Sequence, residues 1–556
     1  MKRFVLHICL FLLLPATVWA QVEKHVEVTK DYVPDLAPAL KLSFEPSMID
    51  TAVLRPDIDY SITPQALAAR LDVEPIRPAT VTYWEFNRHR PLYLKLGAGW
   101  PFNTLGDLYV TTQHPGTGYL SGYANHEGIY ADLRNRFGVE TPAGRMLNRV
   151  GVAAGKYFGR RTLEGEVAYE HRRYRRYGGI DVPGAHVPVI GYGEMGVGVR
   201  FGDDFRDLSR LNFDIGLRGA LFDDYSERMT EGAQRGRQTH LGVDAALARR
   251  FDRHLFRLAL RYEHGAGQKS LSDYRQDLLA AEARYGYRGG AVDFELGADY
   301  RYDKRAHAAG RHYVTPYLRM RFDTGAKGFS PLIEADGTLC DNSFRTLSRL
   351  NPYVEPGVWC GRSTVEYAFR LGADGATAND RFAYRIFVGA AVRENQLFWT
   401  VGTAPAGRLL PVQARQTLFT IDGEAEYRPA ERFRMTLGLR GSLYDDHSPY
   451  ECGLPAFEGR FEARYAVRKV SFGASVAARS ERRWSFVGES EAGPVPSGEV
   501  FVAPFVCDVR ADIDWRITRA FALFAEARNL AGCALYEQPL YRGYGVRVTA
   551  GVRLEF

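Results

Sequence analysis

Residues 548–556 read "VTAGVRLEF", and apolar and polar side chains alternate along them without a break. Because successive side chains of a β-strand point to opposite faces, the apolar ones share one face and the polar ones share the other. Phe556, Leu554 and Val552 are the last three residues of the apolar face. An edge strand of a β-sandwich has this pattern, and so has the closing strand of a membrane barrel, which is apolar outside and polar inside. The stretch predicts a strand, and the remaining sequence has to decide the fold.

The same alternation recurs from Pro91 to the end of the sequence. It is clearest in "LFTIDGEAEY" (418–427), "FRMTLGLRGSL" (433–443) and "FEGRFEARYAV" (457–467). The connecting segments fall into two classes, which themselves alternate along the chain. Short ones lie at 252–253, 288–290, 428–431, 468–469 and 516–518, and long polar ones lie at 175–189, 224–236, 338–360, 395–415, 446–455, 483–498 and 531–542. Short turns at one end and long loops at the other are typical of bacterial outer-membrane barrels, whereas a sandwich does not sort its loops in this way.

Counting strands outward from Pro91 gives about 22, and single-chain bacterial barrels have an even number. We therefore predict an all-β protein, a transmembrane antiparallel β-barrel of about 22 strands over residues 92–556, with both of its ends at the periplasmic side. Aromatic residues beside the short turns are predicted to form the periplasmic-side aromatic girdle, although aromatic residues favour strands in any case. They are Tyr157, Phe158, Phe201, Phe251, Tyr287, Phe322, Tyr427, Phe433, Tyr465, Trp515 and Phe556.

The composition agrees with a membrane barrel. The 556 residues include 32 Tyr, 32 Phe and 56 Gly. No run of about 18 apolar residues follows the first twenty residues, so no transmembrane helix is predicted. A barrel strand alternates apolar with polar residues, so hydropathy averaged along the sequence does not reveal its apolar face. The formal charge is +6, and it is +4 without Lys2 and Arg3, because 70 basic and 66 acidic residues then remain. This balance gives no indication of nucleic-acid binding.

Residues 1–20 are predicted to be a secretory signal peptide. Lys2 and Arg3 give it a positive start, residues 4–14 are its apolar core, and residues 18–20, "VWA", form a plausible cleavage site. The other interpretation is a membrane anchor, for which a core of about eleven residues is too short. The mature chain is therefore expected in the cell envelope.

Residues 21–91 are predicted to be an extended N-terminal periplasmic segment, since seven prolines interrupt them and their alternation is weak. The prolines are Pro34, Pro38, Pro46, Pro56, Pro64, Pro75 and Pro78. Apolar residues such as Leu42 and Phe44 suggest that this arm lies against something. We expect the barrel lumen to be closed by this segment, by inward folding of long loops such as 338–360, or by a partner protein, and we favour the partner.

The last thirty residues resemble the end of TonB-dependent receptors. The resemblance is carried by Asn529, Leu530, Tyr536, Pro539, Tyr541, Gly543, Gly545, Gly551 and Phe556. It implies a barrel of about 22 strands. It also implies that Phe556, with Leu554 and Val552, forms the signal that the outer-membrane assembly machinery recognises.

The N-terminal stretch 26–62 is similar to TonB-receptor-like barrels of Bacteroidota that lack a plug domain. About seventy residues precede the first barrel strand, and they do not resemble a compact α/β plug. "HVEVT" (25–29) is only faintly similar to a TonB box. The resemblance implies a barrel without a plug domain.

These features predict a multi-pass protein of the Gram-negative outer membrane that serves transport or passage of a solute. The alternative is a non-transporting scaffold that docks partner proteins in envelope assembly or secretion. Expected partners are outer-membrane lipid and lipopolysaccharide, the assembly machinery, and a periplasmic or surface protein. The sequence predicts no enzyme, no cofactor and no metal site.

Two groups of carboxylates mark places where upward strands meet loops. They are Asp223–Asp224 and Asp445–Asp446–His447. Paired carboxylates beside a histidine can activate water, but solvated loop charge, or binding of cations from lipopolysaccharide, is the favoured interpretation. Charged residues of both signs, such as Glu424 and Arg434, are expected to brace the inner wall.

Five cysteines remain in the mature chain, so one is left over if the others pair. Cys340 and Cys360 flank one long loop and are the candidate disulfide. By alternation Cys507 faces lipid together with Phe505 and Val509, and we expect it to be unpaired.

Overall fold

The computed structural model describes residues 91–556, except 115, 228–234, 327, 404–406, 447–449, 452 and 491–492. The predicted signal peptide, all of the N-terminal segment up to residue 90, and its "HVEVT" stretch lie outside these residues. Among the described residues, no helix has the length and apolar character needed to span a membrane. Strands make up most of the described chain, which confirms the all-β prediction.

Twenty-eight strands and one helix, α1, are described. The strands are β1 (Leu92–Trp100), β2 (Asn103–His114), β3 (Gly118–Ile129), β4 (Asp132–Arg134), β5 (Glu140–Pro142), β6 (Arg145–Phe158), β7 (Arg161–Arg175), β8 (Val189–Asp203), β9 (Asn212–Asp224), β10 (Gly236–Phe251), β11 (His254–Lys269), β12 (Arg275–Gly289), β13 (Val292–Arg305), β14 (Arg311–Phe322), β15 (Ser330–Cys340), β16 (Thr364–Ala376), β17 (Phe382–Gly402), β18 (Leu409–Ala430), β19 (Phe433–Asp446), β20 (Phe457–Val467), β21 (Val470–Arg479), β22 (Arg482–Ser490), β23 (Gly493–Ala503), β24 (Val506–Arg516), β25 (Phe521–Arg528), β26 (Tyr536–Gln538), β27 (Tyr541–Arg542) and β28 (Arg547–Glu555). The helix α1 is Phe344–Leu350.

Twenty-two of these strands form one closed antiparallel barrel. The main sheet has 24 strands, but β22 and β23 form a hairpin that joins it only through a short parallel pairing with the end of β17. The barrel closes where β1 pairs with β28, from Tyr93 opposite Glu555 to Trp100 opposite Val548. The stretch 548–556 is thus the closing strand, and the predicted strand count is confirmed.

The connections are sorted between the two ends of the barrel. At one end, called here the short-turn end, no connection exceeds eight residues, and Leu92 and Phe556 lie at this end. At the other, the long-loop end, the connections include residues 130–144, 176–188, 341–363, 480–505 and 529–546. All of the aromatic residues predicted for the girdle lie at or beside strand ends on the short-turn end.

The wall has an apolar outer face and a charged inner face. Outward side chains such as Leu258, Val388 and Ile421 are more than half exposed, which is the pattern of a lipid-facing surface. The inward side chains pair across neighbouring strands, for instance Arg200 with Asp214 at 2.7 Å and Arg284 with Asp299 at 2.8 Å. Ion pairs between arginines and carboxylates therefore brace the inner wall, as predicted.

Two predicted loops are largely strands. Residues 395–415 belong mostly to β17 and β18, which form an extended hairpin whose tip is 403–408, and residues 483–498 belong mostly to β22 and β23. The physical reason is apolar content, since Phe398, Trp399 and Val401 are buried. These strands continue past the barrel wall because their side chains enter a hydrophobic core formed by the long loops.

Candidate functional site

The long loops form a packed structure at their end of the barrel, which we call the loop cap. It comprises residues 130–144, 176–188, 341–363 and 529–546 with the outer ends of the β17–β18 and β22–β23 hairpins. Its hydrophobic core includes Tyr177, Phe344, Trp399, Trp484 and Tyr541. A core of this kind gives the loops fixed positions, because burying each large apolar side chain contributes about 1.5–3 kcal/mol.

The central element of the cap is loop 341–363, which contains α1. The hydroxyl of Ser343 caps the helix by accepting a hydrogen bond from the backbone N–H of Thr346 at 3.3 Å. Asp341 supports the cap by accepting from the hydroxyl of Thr346 at 2.6 Å. Phe344 and Leu347 are fully buried. A serine N-cap, which is a usual feature of helix N-termini, and one buried apolar face therefore hold this short helix in place.

Loop 341–363 crosses the mouth of the barrel. It leaves the wall between β15 and β16 and reaches inward-facing residues of β8, seven strands away along the wall. Glu194 of β8 receives two guanidinium groups from α1, those of Arg345 at 2.5 Å and Arg349 at 2.8 Å. The backbone N–H of Arg345 also donates to Gln238 of β10 at 2.7 Å. We call the Glu194–Arg345–Arg349 group the clasp.

Buried arginines of the wall and of loop 176–188 fix the backbone of loop 341–363. Arg172 donates to the carbonyl oxygen of Ser348 at 3.0 Å, and Arg176 donates to that of Tyr353 at 2.8 Å. Arg305 of β13 donates to the carbonyl oxygen of Cys360 at 2.6 Å. Hydrogen bonds to charged groups are worth about 1.5–3 kcal/mol each, so the loop is fastened at α1, in its middle and near its C-terminal end.

Three long loops meet at a cluster of tyrosines. Tyr177, Tyr353 and Tyr541 come from loops 176–188, 341–363 and 529–546. Their ring centroids are 6.2, 5.2 and 3.5 Å apart for the pairs 177–353, 177–541 and 353–541. The hydroxyl of Tyr541 donates to the carbonyl oxygen of Gly407 at 2.8 Å, which joins the β17–β18 tip to the cluster.

Burial raises the pKa of each cluster tyrosine. The pKa of Tyr541 rises to about 12, and those of Tyr353 and Tyr177 rise well above the usual value of 10. The cluster is therefore neutral and uncharged at physiological pH, and it acts as a packed junction of the cap.

The structure does not bring the predicted rim carboxylates together. Asp223 is paired with Arg237 at 2.6 Å, and Asp224 is buried and accepts from the backbone N–H of Ser226 at 3.0 Å. Asp445 belongs to β19, ten strands away from β9 along the wall. The side chains of Asp446 and His447 lie outside the described residues. Among the described residues, no group of three or more His, Cys, Asp or Glu is arranged to hold a metal ion.

Cys340 and Cys360 are free cysteines in the structure, and the disulfide between them stays a prediction. Cys340 lies opposite Thr364, and the N–H of Cys360 donates to the carbonyl oxygen of Asn342 at 3.1 Å. Burial raises the pKa of the Cys360 thiol to about 12. Cys507 is also free, and the parity of β24 places it on the outward face as predicted.

Inward folding of loop 338–360 was one of the three closures that the sequence left open, but helix α1 and the hydrophobic core of the cap were not predicted. The sequence of α1 nevertheless carries a signal. "DNSFRTLSRL" (341–350) has a helix N-cap serine followed by apolar residues at 344, 347 and 350. That spacing is the period of an amphipathic helix. Length and turn chemistry alone had marked the segment as a polar loop.

Comparisons with known proteins bear on the fold. No family model and no curated protein matches the chain. Solved structures are similar to it, among them the FrpB iron transporter from Neisseria meningitidis, with 11% sequence identity, a TM-score of 0.68, and coverage of 85% of this chain and 82% of that one. The copper transporter OprC is 12% identical with a TM-score of 0.62 and covers 85% and 82% of the two chains. The ferric-catecholate import receptor Fiu from E. coli K12 is 8% identical with a TM-score of 0.62 and covers 84% and 82%. At these identities the likeness shows a shared fold.

Proposed function

We propose that the protein is an outer-membrane β-barrel that passes a solute across the outer membrane, and that the loop cap closes its outer mouth. The observation that carries the proposal is the fastening of loop 341–363 across the mouth by the clasp. The ion-paired inner wall and the likeness to solved iron and copper transporters support it. A cap held by charged contacts that water can replace is suited to a closure that opens.

In this proposal the long-loop end faces the exterior and the short-turn end faces the periplasm, as in bacterial barrels generally. Residues 1–20 then act as the signal peptide, and residues 21–91 enter the periplasm. Phe556, Leu554 and Val552 form the signal for the assembly machinery, and lipopolysaccharide surrounds the long-loop end. The similarity of stretch 26–62 to plug-less barrels of Bacteroidota supports a barrel without a plug domain.

The second candidate function is a non-transporting scaffold that docks periplasmic or surface proteins. The observation that favours it is the hydrophobic core of the cap, to which Trp399, Tyr353 and Tyr541 contribute. Loops packed around such a core resemble a fixed lid more than a moving gate. A scaffold would keep the mouth closed under all conditions.

Liposome swelling with sugars of graded size separates the two functions. We expect liposomes that contain the R345Q/R349Q variant to swell faster than those with the wild-type protein, because the clasp is lost. The control is R319Q, which removes a charge from the Arg319–Glu334 pair of the wall. Equal, slow swelling of all three proteins, each with the heat-sensitive gel mobility of a folded barrel, would contradict solute passage and support the scaffold.

A further inference from the structure

An open depression of about 590 Å³ lies on the barrel at the short-turn end, at the junction of β6, β7 and β8. It is lined by Phe158, Arg160, Arg161, Leu163 and Phe201. Leu163 of β7 lies directly opposite Phe201 of β8, and Phe158 of β6 lies opposite Arg161. The depression therefore combines an apolar wall with two guanidinium groups.

The apolar lining belongs to the outer face of the barrel. Leu163 lies on the same face of β7 as Val167, and Phe201 lies on the same face of β8 as Val199. Both valines are exposed on the outside of the wall. Phe158, likewise exposed, sits next to the two-residue turn 159–160. The depression is therefore at the depth of the girdle, where acyl chains meet headgroups.

Three cations surround this depression, and two carboxylates oppose them. Asp203 is 3.5 Å from Arg160 and 3.6 Å from Arg161, and its second oxygen accepts the backbone N–H of Phe213 at 3.1 Å. The ammonium group of the exposed Lys156 lies 5.4 Å from the ring centroid of Phe158. Asp207 is a second carboxylate within electrostatic reach of Arg160, and it is paired with Arg210 at 3.5 Å. The three cations still outnumber these two carboxylates, so the depression attracts an anion.

Arg160 and Arg161 can both reach such an anion, because their side chains are 36% and 51% exposed. A phosphate oxygen is the acceptor that guanidinium groups match best. Lys156 has a long apolar stem, which lets its charge reach the same headgroup level.

We propose that this depression binds an anionic phospholipid of the leaflet at the short-turn end. The phosphate lies between Arg160, Arg161 and Lys156, and an acyl chain packs along Phe158, Leu163 and Phe201. The site rests on the proposed membrane location of the barrel. Basic pockets at membrane interfaces recognise anionic headgroups by this combination of charge and apolar surface.

Native mass spectrometry tests the site on the full mature protein in detergent, titrated with phosphatidylglycerol or with zwitterionic phosphatidylcholine. The wild-type protein is expected to retain phosphatidylglycerol preferentially. R160Q/R161Q is expected to weaken that binding at least about tenfold, since charge-assisted hydrogen bonds are lost. R160K/R161K is expected to recover part of it.

The matched control is R249Q/R253Q, which removes two exposed arginines at the β10–β11 turn of the same barrel end, where Arg249 lies over Phe251. It is expected to leave binding unchanged. Unchanged binding in R160Q/R161Q, or an equal loss in the control, would overturn the site. Heat-dependent gel mobility and liposome swelling of the same variants report separately on the barrel and its proposed function. If R160Q/R161Q does not fold, K156Q is measured instead and is expected to weaken binding by a smaller factor, and unchanged binding there would equally overturn the site.

Discussion

The backbones of Phe556 and Leu92 exchange two hydrogen bonds. The N–H of Phe556 donates to the carbonyl oxygen of Leu92 at 3.0 Å, and the N–H of Leu92 donates to Phe556 at 3.4 Å. This pair is the last pair of the ladder between β1 and β28, so β1 begins and β28 ends at the short-turn end. Closure of this kind leaves no strand edge exposed in the membrane.

The side chain of Phe556 is predicted to matter more for assembly than for the finished barrel. It is exposed on the outer face, where a charge near the membrane interface costs only about 0–1 kcal/mol. We expect F556D to lower the amount of protein in the outer membrane strongly while changing the unfolding midpoint of refolded barrels little. The control F472D changes an aromatic residue of similar exposure at the same end. Normal membrane levels of F556D, or an equal defect in F472D, would contradict an assembly signal.

The strands of the barrel could be predicted from the sequence, because alternation with a period of two is local information. It located β18, β19, β20 and β28 and the sorting of connections between the two ends. The cap could not be predicted in this way. Nothing in the sequence indicates that Tyr177, Tyr353 and Tyr541 meet, because they lie on three loops that leave the wall at distant strands.

Predictions for the rim carboxylates show the same limit. Asp223 and Asp224 are adjacent in sequence, yet one makes a surface ion pair and the other is buried beneath the cap. The two side chains point to opposite faces of β9, and the sequence does not reveal that the inner face is covered at this position. Residues 395–415 were predicted to be a loop, whereas Phe398, Trp399 and Val401 are buried in β17.

Removing only one partner of the buried ion pair between Arg393 and Glu366 is predicted to destabilise the protein more than removing both. The guanidinium of Arg393 is fully buried and lies 2.6 Å from the carboxylate. R393M leaves an uncompensated buried charge and should lower the free energy of unfolding by about 3–5 kcal/mol. The double variant R393M/E366L should regain much of this loss. Denaturant titration of refolded protein measures both, and additive losses in the double variant would contradict the pairing.

Replacing Phe344 by alanine is predicted to loosen the cap without opening the barrel wall. Phe344 packs between Tyr192 and Phe222 of the wall, with centroid distances of 6.2 and 5.9 Å, and loss of a buried phenyl ring costs about 3–5 kcal/mol. The buried thiol of Cys360 is the reporter, in a background where the other mature cysteines are serine. Maleimide should label Cys360 faster in F344A than in F329A, which removes an exposed ring. Equal rates would show that α1 does not hold the cap.

The cap is predicted to lose stability at high pH. The pKa of Tyr541 is about 12 in the folded protein and about 10 when unfolded. Below pH 10 the tyrosine is neutral in both states, so its contribution is fully present there. Between pH 10 and 12 only the unfolded state ionises, and the contribution is lost as pH rises. Labelling of Cys360 at increasing pH, corrected for thiolate fraction, should accelerate in the wild-type protein and less in Y541F. Identical pH profiles would contradict this account.

The central claim is that loop 341–363 closes the mouth of a 22-strand barrel, and single-channel recording in planar bilayers tests it most directly. Two proteins that both begin at residue 80 are compared, so that most of the N-terminal segment is absent from each. One has the loop intact, and in the other residues 343–359 are replaced by a short Gly-Ser linker. We predict that the first stays closed and that the second shows discrete, long-lived openings. Closed recordings from both proteins, or equal openings in both, would contradict the claim.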